Sequence, residues 1–88
     1  MLSGDRVVPL DADLQAATLR GVTFRAAVVA QATRDDWSQR ANYAYLRLRG
    51  ARAGLSPEEV DAGIAEGLLS GLLVTSGGWY WTPSTREA

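Results

Sequence analysis

Residues 53–82 read AGLSPEEVDAGIAEGLLSGLLVTSGGWYWT, and the reading of this stretch decides the fold. Its first half opens a helix. Ser56 can accept from the orphan N–H groups of a first turn, Pro57 suits the first helical position, and Glu59 completes a Ser-x-x-Glu capping box. Val60, Ile64 and Leu68 share one helical face and supply a buried stripe. Gly71 is a stop signal. Leu72-Leu73-Val74-Thr75 and Trp79-Tyr80-Trp81-Thr82 then flank a Ser-Gly-Gly turn, which predicts a β-hairpin. The expected class is a mainly α domain with a C-terminal β-hairpin.

Register decides which of the hairpin aromatics are buried. A Gly77-Gly78 turn of type I′ pairs Ser76 with Trp79, Thr75 with Tyr80 and Val74 with Trp81. Leu72, Val74, Trp79 and Trp81 then form one face, expected to be the core side, and Leu73, Thr75, Tyr80 and Thr82 the other. A turn that included Ser76 would reverse the faces. Either way some aromatics are left for solvent or a partner, and exposed Trp or Tyr on a hairpin often marks a contact site.

Upstream, Asp36 with Gln39 makes a second capping box, and Trp37, Ala41, Ala44, Tyr45 and Leu48 fall on one helical stripe. Gly50 and Gly54 are expected to end that helix. Asp11 can cap a helix over residues 12–20, stopped by Gly21. Thr23 can cap another over Phe24–Thr33, in which Phe24, Ala27, Val28 and Gln31 share a face. The Val28-Val29 pair equally suits a strand over residues 22–29, and a single helix over 12–32 is a third reading. Residues 1–10 read as an extended arm, with Pro9 opposing a central strand. Residues 11–83 form the domain, and 84–88 are expected to be a disordered tail.

Gly50, Gly54 and Val60 resemble the helix-turn-helix pattern of a small residue, a turn glycine and an inward Val or Ile. With a hairpin directly after the second helix, residues 36–82 are similar to the winged helix-turn-helix family, with Thr23–Ala32 as the candidate first helix. The resemblance implies a winged helix-turn-helix domain of three or four helices plus a wing. It implies DNA binding, with the second helix of the pair presented to the major groove.

The charge pattern departs from that family. Residues 57–70 carry Glu58, Glu59, Asp61 and Glu66 and no Arg, so this helix cannot make the bidentate Arg–guanine contact. Arg40, Arg47, Arg49 and Arg52 instead fall in an acid-free stretch, with Arg40 and Arg47 placed on one helical face with Tyr43. One reading is a phosphate-contacting surface. The other is a solvated face whose guanidinium groups pair with Glu58, Glu59 and Asp61 of the next helix, at about 0–1 kcal/mol per pair. Gly63, Gly67 and Gly71 line one side of the helix. They serve either tight packing against the preceding helix or a groove for a partner helix.

The bulk composition narrows the function classes. At 88 residues the chain is one small domain, which buries only roughly 60–65% of its unfolded surface. All nine positive charges are Arg, and Cys, His and Lys are absent. Disulfides and thiolate metal sites are therefore excluded, and acid–base or nucleophilic catalysis lacks its usual groups, so an enzyme is not expected. No cofactor or metal is implied. Asp11/Asp13, Asp35/Asp36 and Glu58/Glu59 lack a calcium-loop pattern. The net charge of −1 offers no global attraction to nucleic acid or lipid. No run approaches the ~20 apolar residues of a membrane span, and the start lacks a signal-peptide pattern, which makes a cytoplasmic protein the default.

Two functions follow. The first is a small regulatory DNA-binding protein, expected as a dimer on double-stranded DNA. In it Arg40, Tyr43, Arg47, Arg49 and Arg52 contact phosphates, Ser56 sits at the helix start, and Ser76 and Gly77 touch the backbone from the wing tip. The second is a protein-interaction module that uses Gly63, Gly67, Leu73, Trp79, Tyr80 and Trp81 to hold a protein partner or a second copy.

Overall fold

The computed structural model describes residues 10–83. The arm expected over residues 1–10, apart from Leu10, and the tail expected over 84–88 lie outside the described residues. Among the described residues, four helices and a small antiparallel sheet follow in the order α1 (Ala12–Leu19), α2 (Phe24–Asp35), β1 (Ala41–Asn42), α3 (Tyr43–Arg52), α4 (Pro57–Ser70), β2 (Val74–Ser76) and β3 (Trp79–Trp81). The protein is mainly helical, with a three-stranded sheet in the order β1-β3-β2. No helix of the described residues is long and apolar enough to cross a membrane.

Helix α2 is the centre of the fold. Every residue from Ala26 to Thr33 is buried, and the helix packs on α1, α3, α4 and β3. A helix covered on all sides loses its amphipathic signature, which is why Val28-Val29 also suited a strand. Its two buried polar side chains are satisfied. Thr33 Oγ1 donates to the Ala30 carbonyl at 2.7 Å. Gln31 accepts from the Asp11 amide at 2.8 Å and donates to Asp35 at 2.9 Å. Residues 12–32 are therefore two helices, each with the cap the sequence offered. Asp11 accepts from the Leu14 amide and Thr23 from the Ala26 amide.

Helix α4 forms as its signals require. The capping box of Ser56 and Glu59 is complete, Pro57 opens the first turn, and Gly71 closes the helix in the left-handed region. Its buried face is Val60, Gly63, Ile64 and Gly67. Leu68, expected inside, is on the exposed side. Gly50 lies directly against Val60, where an alanine Cβ would overlap the valine methyl. This close approach sets the crossing of α3 and α4, and the Leu55 amide returns to the Gly50 carbonyl at 2.9 Å.

Three expectations are corrected. The first concerns residues 36–42. They do not begin a helix at Trp37. The Asp36 carboxylate accepts from the amide and hydroxyl of Ser38, and Gln39 takes φ +64, so a turn replaces the predicted capping box. Ala41 and Asn42 pair with β3, and Asn42 caps α3 by accepting from the Tyr45 amide. The helix therefore starts later and in another phase, burying Leu46 and Gly50 instead of Trp37, Ala44 and Leu48. Gly50 does not end it, because α3 runs on to Arg52.

The second concerns the glycine face of α4. Gly63 faces α2 and Gly67 faces Leu73, neither of them the preceding helix, while Gly71 lies exposed past the end of the helix with open space beside it. A Cβ on Gly63 would lie 2.7 Å from the Arg25 carbonyl oxygen, and one on Gly67 would lie 2.8 Å from Leu73 Cδ1.

The third concerns the hairpin. Its register is the predicted one, with Val74 opposite Trp81, Thr75 opposite Tyr80 and Ser76 opposite Trp79. Gly77 and Gly78 both have positive φ, as a type I′ turn needs. The inward face is reversed, however. β1 sets Ala41 opposite Tyr80, so Tyr80 packs on the core beside buried Ala41 and Leu73. Trp79 and Trp81 share the opposite face of β3.

Candidate interaction surface

The outer face of the sheet and the turn before β1 gather all three tryptophans of the chain. Asn42, Trp79 and Ser76 form one cross-strand row, and Val74 and Trp81 the next. Trp37, held out by the Asp36–Ser38 turn, is 92% exposed. Arg40 falls on the Asn42 side of β1 by alternation, and its guanidinium carbon lies 5.0 Å from the centre of the Trp79 ring. Asp36, Trp37, Arg40, Asn42, Tyr45 and Trp79 line an open cleft of ≈ 380 Å3. Arg40 and Trp81 border a second hollow with Ser38 and Gln39.

Among the described residues the cleft has one cation, Arg40. Arg40 has no carboxylate within 4.0 Å among the described residues. Asp36 lines the same cleft but is occupied by Ser38, whose hydroxyl and amide hold its carboxyl below the usual range. A guanidinium over an indole can still offer N–H donors to a carboxylate or phosphate.

The four arginines read as a candidate phosphate-contacting surface are dispersed. Arg40 precedes β1 and does not share a helical face with Arg47 and Tyr43. Arg49 donates to Asp35 at 2.6 Å and to the Tyr45 hydroxyl at 3.0 Å, which turns it back onto the fold. Its carboxylate partner comes from α2, not from Glu58, Glu59 or Asp61. Arg47 lies over the Tyr43 ring at 5.6 Å, and the Tyr43 hydroxyl donates to Asp61 of α4 at 2.5 Å. Arg52 is exposed at the end of α3. Ser56 is engaged as the cap of α4, and Ser76 and Gly77 are exposed at the hairpin tip.

Of the residues expected to meet a partner, Trp79 and Trp81 are on the outer face. Gly63, Gly67 and Leu73 are inside the fold, and Tyr80 is half-buried against the core. The outward side of α4 carries Glu58 and Asp61 in its first half. Beyond them come exposed Ala65 and Leu69, the latter 88% exposed.

Sequence reasoning missed Trp37, which it placed in the core, and the stacking of Arg40 on Trp79. The signal for Trp37 was its polar setting, Arg34-Asp35-Asp36-Trp37-Ser38-Gln39-Arg40, which suits a turn better than a buried helical face. Compared with known families, curated proteins and solved structures, the chain matches none.

Proposed function

We propose that this chain is a winged helix-turn-helix domain that works as a protein-interaction module. Support for the fold assignment is the order helix, strand, helix, helix, strand, strand, with the early strand paired to the last one. In that reading α2, α3 and α4 are the three helices, the hairpin is the wing, and α1 is an addition. Support for the function is one observation above the others. The outward side of α4, the helix that would enter a groove, carries Glu58 and Asp61 and no cation along Pro57–Ser70. Those carboxylates would meet phosphates, which opposes duplex binding. The exposed Trp37, Trp79 and Leu69 have instead the apolar and aromatic character of recognition surfaces between proteins.

Double-stranded DNA is the second reading, and it too has an observation behind it. Arg40, Arg47 and Arg52 have no carboxylate within 4.0 Å among the described residues. Anisotropy titration of a labelled duplex at low and moderate salt separates the two. The interaction module is expected to leave the duplex unbound at micromolar protein. Micromolar binding that weakens steeply with salt, and that Arg47→Ala with Arg52→Ala abolishes, would establish the DNA reading in its place.

A further inference from the structure

We infer that the Trp37–Arg40–Trp79 cleft receives the outward side of α4 from a second copy of this chain. The inference rests on the interaction-module reading and names its partner. Three observations converge on it. First, the cleft asks for an anion attached to an apolar group. Arg40 lies over Trp79 with no carboxylate partner among the described residues, and Trp37, which lines the same cleft, is almost fully exposed. Second, α4 presents that chemistry in one strip. Glu58, Asp61, Ala65 and Leu69 follow at spacings of three or four residues, and the strip is about 16 Å long at the rise of an α-helix. The acids come first, then a small residue that lets an indole approach, then an exposed leucine.

Third, the two surfaces are neighbours on one protomer. Asn42 pairs with Trp79, and the adjacent Tyr43 donates to Asp61. A two-fold axis between them lets each cleft take the other protomer's helix, so the contact closes as a dimer without propagating into a filament. Arg40 then meets the carboxylates of α4, and Trp37 and Leu69 leave water together. Charge complementarity favours a second copy over duplex DNA, which would bring only phosphates to a surface half composed of acids.

The test is sedimentation equilibrium on the full chain, from low micromolar to submillimolar protein. The expected mass at the upper end is twice the protomer's 9.4 kDa. Arg40→Glu and Asp61→Arg are each expected to weaken self-association roughly tenfold or more. Mixing the two variants is expected to restore a heterodimer, because one of its contacts is charge-reversed on both sides and the other is native. Glu58→Arg replaces Asp61→Arg if circular dichroism shows that loss of the Tyr43 bond unfolds the helix pair. A protomer mass at every concentration overturns the inference, as does a dimer that neither substitution weakens. A monomer that leaves duplex DNA unbound removes self-association alone, whereas duplex binding removes the interaction-module reading beneath it.

Discussion

Gly63 lies where α4 crosses the first turn of α2, and its missing side chain permits that crossing. Alanine there would gain about 1 kcal/mol of helix propensity. Its Cβ would also lie 2.7 Å from the Arg25 carbonyl oxygen and 2.8 Å from the carbonyl carbon. Backbone cannot rotate away as a side chain can, so the two helices must part. Gly63→Ala is expected to destabilise the protein by about 1–3 kcal/mol, read as a lower urea midpoint with an unchanged slope. One turn further along α4, Glu66 ties the same two helices together. Its carboxylate accepts a forked pair of bonds from Arg25, and Thr23 adds a hydroxyl bond at 2.5 Å. The Arg25 and Thr23 bonds hold its pKa at about 2, below the ordinary 4.5. A carboxyl with a lowered folded pKa stabilises above its unfolded value and loses that contribution as pH falls through the folded one. The window for Glu66 is therefore about pH 4.5 down to about 2. Urea midpoints measured across it are expected to fall in the wild type and to fall less in Glu66→Gln.

At the scale of elements, legibility followed how local the signal was. Capping residues act within one turn, and Asp11, Thr23 and Ser56 cap the helices expected of them. The Gly77-Gly78 turn sets the hairpin register by its own geometry, and that register is found. The inward face of the hairpin depends on β1, some forty residues away in the chain, and that face was misread. The same pairing explains the error in α3. Trp37, Ala41, Ala44, Tyr45 and Leu48 do share a helical face, but Ala41 and Asn42 are drawn into the sheet. Asn42 then competes with Asp36 as the cap and shifts the phase of the helix. Truncation measures that phase. Leu46 is fully buried and Leu48 is 47% exposed, so Leu46→Ala is expected to cost about 2–5 kcal/mol and Leu48→Ala under about 1 kcal/mol. The reverse order in thermal or urea denaturation would support a helix running on from Trp37.

At the scale of the whole molecule, the candidate site was legible only in part. The hairpin was recognised as carrying more aromatics than the core could absorb, but Trp79 and Trp81 were given the core side, and they lie on the outer face of the sheet. Arg40 was singled out for phosphates, yet its partner is an indole from the other end of the chain. Trp37 was counted as core. These placements are long-range, set by which strand pairs with which, and no local pattern encodes them. The dispersal of the basic residues has the same origin, since Arg49 turns inward only because the end of α2 brings Asp35 beside α3. In the proposed function the carboxylates on the outward side of α4 keep the protein off DNA and free for a protein partner. The most direct measurement is anisotropy titration of one labelled duplex at low salt with the wild type and with Glu58→Arg/Asp61→Arg. No binding by the wild type and a gain of salt-sensitive binding by the double variant are expected. Salt-sensitive binding by the wild type, left unchanged by the double variant, would contradict the proposed function.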